Sequence, residues 1–215
     1  MISARKIMLS GLLALGMVTT MIPSAAQAAV GSTDDESGMR IGGFDAAVAR
    51  ANGYEIVTLP DGSQASVPAA KAEAARRGSY VPKTGVLVKP SKGGVSANAY
   101  GSRSGNCGTS WVQISPRGGG SAGLTTGMSL VLDSGGPWDI HWNVNVSDRN
   151  GTSNQYYDED DGYVSGTGLS WAGKGRTLNL ARGSATVKVT AGSFTITGAG
   201  WVCFSYAPGA TDIIT

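Results

Sequence analysis

Trp138-Asp-Ile-His-Trp-Asn-Val-Asn-Val146 alternates from end to end. Successive side chains of a strand point to opposite faces, so Trp138, Ile140, Trp142, Val144 and Val146 share one face. Asp139, His141, Asn143 and Asn145 share the other. A helix would scatter the apolar set around its circumference. Period two therefore predicts a long half-buried strand whose two tryptophans belong to a core. Asn150-Gly151, just beyond, is the strongest hairpin signal in the chain and predicts that the strand turns back on itself.

The same pattern extends outward. Runs near 85–88, 95–100, 109–115, 128–132, 163–171, 177–180, 185–190, 194–197 and 201–206 have strand character and are separated by Gly, Asn, Asp and Ser. Ala185, Val187 and Val189 oppose Thr186 and Lys188. Phe194 and Ile196 oppose Thr195 and Thr197, and Cys203 shares a face with Trp201 and Ser205. Helix-period segments long enough for βαβ crossovers are missing, which argues against an α/β fold. Short runs with frequent turns predict an all-β domain over 84–215: a β-sandwich, Ig-like or jelly-roll-like, or a partly open barrel.

The N-terminal third reads differently. Arg5 and Lys6 precede an apolar run, and Ala26-Gln-Ala28 has the small-x-small form of a signal-peptidase site. Residues 1–28 are expected to be a signal peptide cleaved after Ala28, which places the chain outside the cytoplasm, secreted or associated with the cell envelope. The apolar run is shorter than the roughly 20 residues of a membrane span. Residues 29–83 read as a weakly structured leader or propeptide-like linker. It carries a short helix capped by Asp45, a small hairpin around Pro60-Asp-Gly62, and an alanine-rich stretch at 69–77 with nothing large to bury. Arg76-Arg77 before Gly78 is an expected processing site.

Two cysteines, Cys107 and Cys203, allow one intramolecular bond in an exported chain. Charge is nearly balanced, at +2, with no basic stripe to neutralise phosphates, so nucleic acid is not an expected partner. The signal peptide and the Gly/Ser/Thr-rich β domain together resemble small proteins exported by Gram-positive bacteria, a likeness of style carried by no diagnostic motif.

Catalytic signals are sparse. His141 is the single histidine, on the polar face of its strand beside Asp139. Ser121 meets the letters of Gly-x-Ser-x-Gly within 119–123, but no helical pattern follows to build a nucleophile elbow. Glu159 is the only glutamate after position 73, and no two carboxylates are placed across a cleft by spacing alone. Asn145-Val-Ser147 and Asn150-Gly-Thr152 match the N-glycosylation pattern. Binding is thus the more economical expectation than catalysis.

The binding signal lies in Tyr156-Tyr-Asp-Glu-Asp-Asp-Gly-Tyr163, where four acidic residues stand between aromatic ones. With Asn154 and Gln155 before it, the stretch offers rings for stacking and polar groups for hydroxyls, which suits an extracellular glycan or a secreted protein. Tyr156, Tyr157, Tyr163, Asn154 and Gln155 are the expected binding residues, in an exposed loop. An inhibitor-like protein and a structural envelope protein are the alternative readings. No cofactor is expected beyond calcium, for which Asp158, Asp160 and Asp161 are the weak candidate ligands, since the acids do not follow EF-hand spacing.

Overall fold

The computed structural model describes residues 39–87 and 99–215. The expected signal peptide, Ala28 and the polar stretch at 31–38 lie outside these residues, as does most of the run expected at 95–100. Strand β1 (Arg40–Phe44) leads into helix α1 (Ala46–Ala51), hairpin β2 (Tyr54–Thr58) and β3 (Gln64–Pro68), and helix α2 (Ala72–Arg76). The domain then continues through β4 (Tyr100–Ser104), β5 (Gly108–Gly118), β6 (Ser121–Leu130), β7 (Pro137–Asp148), β8 (Gly151–Tyr157), β9 (Gly162–Val164) and β10 (Ser170–Gly173). It closes with β11 (Arg176–Asn179), β12 (Gly183–Val189), β13 (Phe194–Thr197), β14 (Trp201–Phe204) and β15 (Gly209–Ile214). The fold is all-β: two large antiparallel sheets share one core, and β2–β3 form a separate two-stranded sheet.

One sheet runs β1-β14-β13-β7-β12-β15, with β8 also on β7; the other runs β4-β5-β6-β10-β9, with β11 also on β6. Trp142, Trp171 and Trp201 are fully buried between them with Ile114, Leu124, Met128, Ile140 and Val144. The indole Nε1 of Trp142 on β7 donates to Thr126 Oγ1 on β6 at 2.8 Å, which satisfies a buried donor across the layers. Cys107, just before β5, is bonded to Cys203 on β14, so the disulfide joins one sheet to the other.

The alternation that predicts β7 holds from Ile140 to Val146 and fails at Trp138. Ile196 faces Asp139 while Thr197 faces Pro137, so Trp138 is the extra residue of a bulge and is 56% exposed. On β13 the inward residues are Thr195 and Thr197, both fully buried. The Thr195 hydroxyl donates to Asp139 O at 2.8 Å, and Thr197 Oγ1 accepts from Trp201 N at 3.2 Å. Hydroxyls can line a core when a backbone partner lies within reach. The strand expected at 163–171 is instead a hairpin of β9 and β10, folded at the glycines Gly166 and Gly168. Ser121 begins β6 after a hairpin turn of three positive-φ glycines, Gly118 to Gly120, so no nucleophile elbow is built there.

The segment before residue 83 is more firmly held than its composition indicates. Asp45 caps α1 as expected, accepting from Ala47 N and Val48 N at 2.8 and 2.9 Å. The β2–β3 hairpin forms where the Pro-Asp-Gly turn predicts. The alanine-rich stretch does bury something: Ala72 and Ala75 of α2 pack with Val57, Ala65 and Val67 in a small core of their own. Small side chains let the helix approach the hairpin closely. Beyond that, β1 is a strand of the main sheet, with Met39 and Ile41 in the main core. Asp45 N donates to Gly200 O at 2.7 Å, and Ser66 Oγ donates to Ala199 O at 2.5 Å. A boundary at 83 would therefore cut through shared packing. Arg76 pairs with Glu55 and Arg77 with Glu73 at the exposed end of α2.

Candidate functional site

β7 is longer than the strands beside it, and the site lies where they stop. On one side β8 covers β7 from Asp148 to Trp142 and ends at Tyr157. On the other side β12 covers it down to Val144, and β13 resumes at His141. β12 and β13 run in the same direction along β7, so Thr190-Ala-Gly-Ser193 is an outward excursion from one line of strand and not a chain reversal. Four residues there face only Trp142 and Asn143. The ladder is mended by side chains: Asn143 N donates to Ser193 Oγ at 3.0 Å, and Asn143 O accepts from Thr190 N at 2.8 Å and from Ser193 Oγ at 3.1 Å.

The gap left on both flanks of β7 is a groove of about 490 Å³ lined by His141, Asn143, Tyr156, Tyr157, Asp158 and Asp161, with the 190–193 excursion as its other wall. Register decides the roles of the two adjacent tyrosines. Tyr156 stands opposite Asn143 on the solvent side and is 65% exposed. Tyr157 stands opposite Trp142 on the core side and is 3% exposed. Its ring meets Trp171 edge-on at 6.1 Å between centroids, and the Arg176 guanidinium lies over it at 3.9 Å. Burial pushes the Tyr157 phenol above its ordinary pKa; Arg176 opposes that shift and Asp161 adds to it. Its hydroxyl and Asn143 Oδ1 are buried without a hydrogen-bond partner.

The acidic run folds as one 3-10 turn, Glu159–Asp161. Asp158 caps it, Oδ1 accepting from Asp160 N at 3.1 Å. With three residues per turn, side chains at i and i+3 fall on the same side. That brings Asp158 and Asp161 to the groove and turns Glu159 and Asp160 away from its lining. For the same reason Asp158, Asp160 and Asp161 do not converge on a cation: among the described residues no three such side chains form a group that could hold a metal. Arg176, reaching from β11 of the other sheet, fastens the corner. It donates to Gln155 Oε1 at 3.2 Å and to Tyr156 O, and lies 3.6 Å from Asp161.

Of the expected binding residues, Tyr156 and Tyr157 reach the groove, the first by its face and the second from beneath. Gln155 is engaged by Arg176, and Asn154 Oδ1 accepts from Asn145 Nδ2 at 3.3 Å across the ladder. Tyr163 is 66% exposed on β9 and does not line the groove. The sequence pattern places His141 and Asn143 on the polar face of their strand without marking either as a site residue, and it does not single out Thr190 or Ser193. His141 lines the groove, its ring 4.8 Å from that of Phe194 and its Nε2 3.4 Å from Asp139 Oδ2. The signal for the others was the four-residue break at 190–193, which is indistinguishable in sequence from a turn. No helix among the described residues is long and apolar enough to cross a membrane. Comparisons with protein-family models, with curated proteins and with solved structures find no match for this chain.

Proposed function

We propose that this chain is a secreted, non-catalytic binding domain that takes a polyhydroxylated ligand, a polysaccharide or cell-envelope glycan, in the groove at the end of β8. One observation carries the reading. Two side chains lining the groove, Asn143 and Tyr157, hold buried polar atoms with no partner, beside the exposed ring of Tyr156. An unpaired buried polar atom costs about 1–3 kcal/mol, so a ligand hydroxyl that reached it would recover that energy. An aromatic face beside such groups suits the apolar face of a sugar ring. Export rests on the signal-peptide pattern of residues 1–28. The finer reading of the fold, an Ig-like or jelly-roll-like sandwich, rests on the shared core and on a chain that changes sheet in blocks: β4 to β6, β7 and β8, β9 to β11, then β12 to β15.

Calorimetric titration of the full chain with soluble neutral and cell-wall polysaccharides tests this. Binding should weaken about tenfold in Tyr156→Ala, roughly 1.4 kcal/mol, with the thermal midpoint unchanged because that ring is exposed. Absence of binding to every polysaccharide, or equal binding by Tyr156→Ala, would refute it. A secreted protein partner is the second reading, favoured by two exposed apolar side chains, Leu132 ahead of β7 and Trp138 at its bulged start. Capture of one defined protein, lost in Trp138→Ala and kept in Tyr156→Ala, would assign binding to that surface.

A further inference from the structure

We propose that the groove selects a ligand bearing a protonated primary amine, namely an amino sugar within a deacetylated glycan. The inference rests on the glycan reading above and narrows it. The groups the groove offers are mostly acceptors. Asp158 and Asp161 share one side of their 3-10 turn and both line it. Asn143 Oδ1 can only accept, and it lacks a partner. The Tyr157 hydroxyl, on a side chain that is 3% exposed and lines the same groove, is also unpartnered.

Positive charge is scarce in the lining. Arg176 is not part of it, and its donors serve Gln155 and the Tyr156 carbonyl, leaving a looser 3.6 Å approach to Asp161. Lys174 touches the corner through its backbone, its N–H donating to Asp161 O at 2.6 Å, and its side chain is exposed. His141 is the one lining residue able to carry positive charge, and it faces Asp139.

An ammonium presents three donors, which suit the two carboxylates, Asn143 Oδ1 and the accepting side of the Tyr157 hydroxyl. An N-acetyl group in its place removes the charge and directs a carbonyl at two carboxylates. An anionic sugar meets the same carboxylates with like charge. The exposed Tyr156 ring accommodates either a sugar face or the cation itself.

Three soluble oligosaccharides of equal length and β-1,4 linkage, built from glucosamine, N-acetylglucosamine or glucose, are titrated into the full chain at a pH where the amine is protonated. The glucosamine oligomer should bind at least tenfold tighter than the other two. Asp158→Asn, which keeps a capping oxygen, and Asp161→Asn should each weaken it about tenfold. Glu159→Gln, an exposed acid outside the lining, should not. Equal binding of all three oligomers would overturn the amine selection while leaving glycan binding intact; no binding of any would remove both. An oligolysine of equal charge binding as well as the sugar, or an equal loss in Glu159→Gln, would reduce the effect to general charge attraction and overturn the proposal.

Discussion

At the scale of single residues, Tyr157 separates structural from functional demands. Its hydroxyl has no partner in a buried setting, so Tyr157→Phe should keep the fold and raise its stability by about 1 kcal/mol. The same variant should bind ligand less well, because the group removed faces unmet need only in the free protein. The pH dependence follows from the raised phenol pKa. A proton held more tightly in the fold gives stability that is complete below about pH 10, the unfolded value, and is lost as pH rises through the folded one. Urea denaturation at rising alkaline pH should show this loss in the native chain and a reduced one in Tyr157→Phe; a variant less stable at neutral pH would contradict the account. Neither tyrosine's role was legible alone. Both stand in the same short run, and only the register fixed by the Arg149–Asn150 turn sends Tyr156 outward and Tyr157 inward. Trp138 shows the opposite failure, where clear parity was cancelled by one bulged residue.

Among elements, the decisive one is the interrupted line of β12 and β13. β7 spends two residues, Trp142 and Asn143, between the register points Val144 and His141, and the opposing chain spends four, Thr190 to Ser193. Removing Ala191 and Gly192 would equalise the two without changing which faces the strands present. The shortened chain should fold with its core unaltered and lose glycan binding, measurable by circular dichroism beside calorimetry; retained affinity would show that the excursion does not form the site. Apolar alternation located both strands correctly from sequence, since Val187, Val189 and their neighbours repeat every second residue. The direction of the second strand was not legible there. A four-residue polar gap serves a hairpin and a bulge equally well, and the choice was made by Ser193 replacing a ladder partner of Asn143.

For the whole molecule, the bond between Cys107 and Cys203 ties two sheets across a sequence separation of 96. Chain-entropy arguments give such a closure roughly 4–5 kcal/mol. Reduction should therefore lower the thermal midpoint by about 10 °C, with ligand affinity at lower temperature preserved, since neither sulfur lies in the groove. An unchanged midpoint would mean the core alone fixes the sheets. The pairing was legible from a count of two, whereas β1 was not. Arg40-Ile-Gly-Gly-Phe44 has little strand character, and its Gly42 is required because a Cβ there would strike the ring of Phe204. That strand also sets an order in time. Its neighbour in the sheet is β14, whereas β5–β6 and β7–β8 join through tight turns. A pairing so distant in sequence pays more loop-closure entropy than a hairpin does, so β1 is expected to dock after the hairpins have formed. Until it arrives, β14 presents an open row of peptide groups to any passing chain. The strand that completes the sheet is then also the one that covers its open edge.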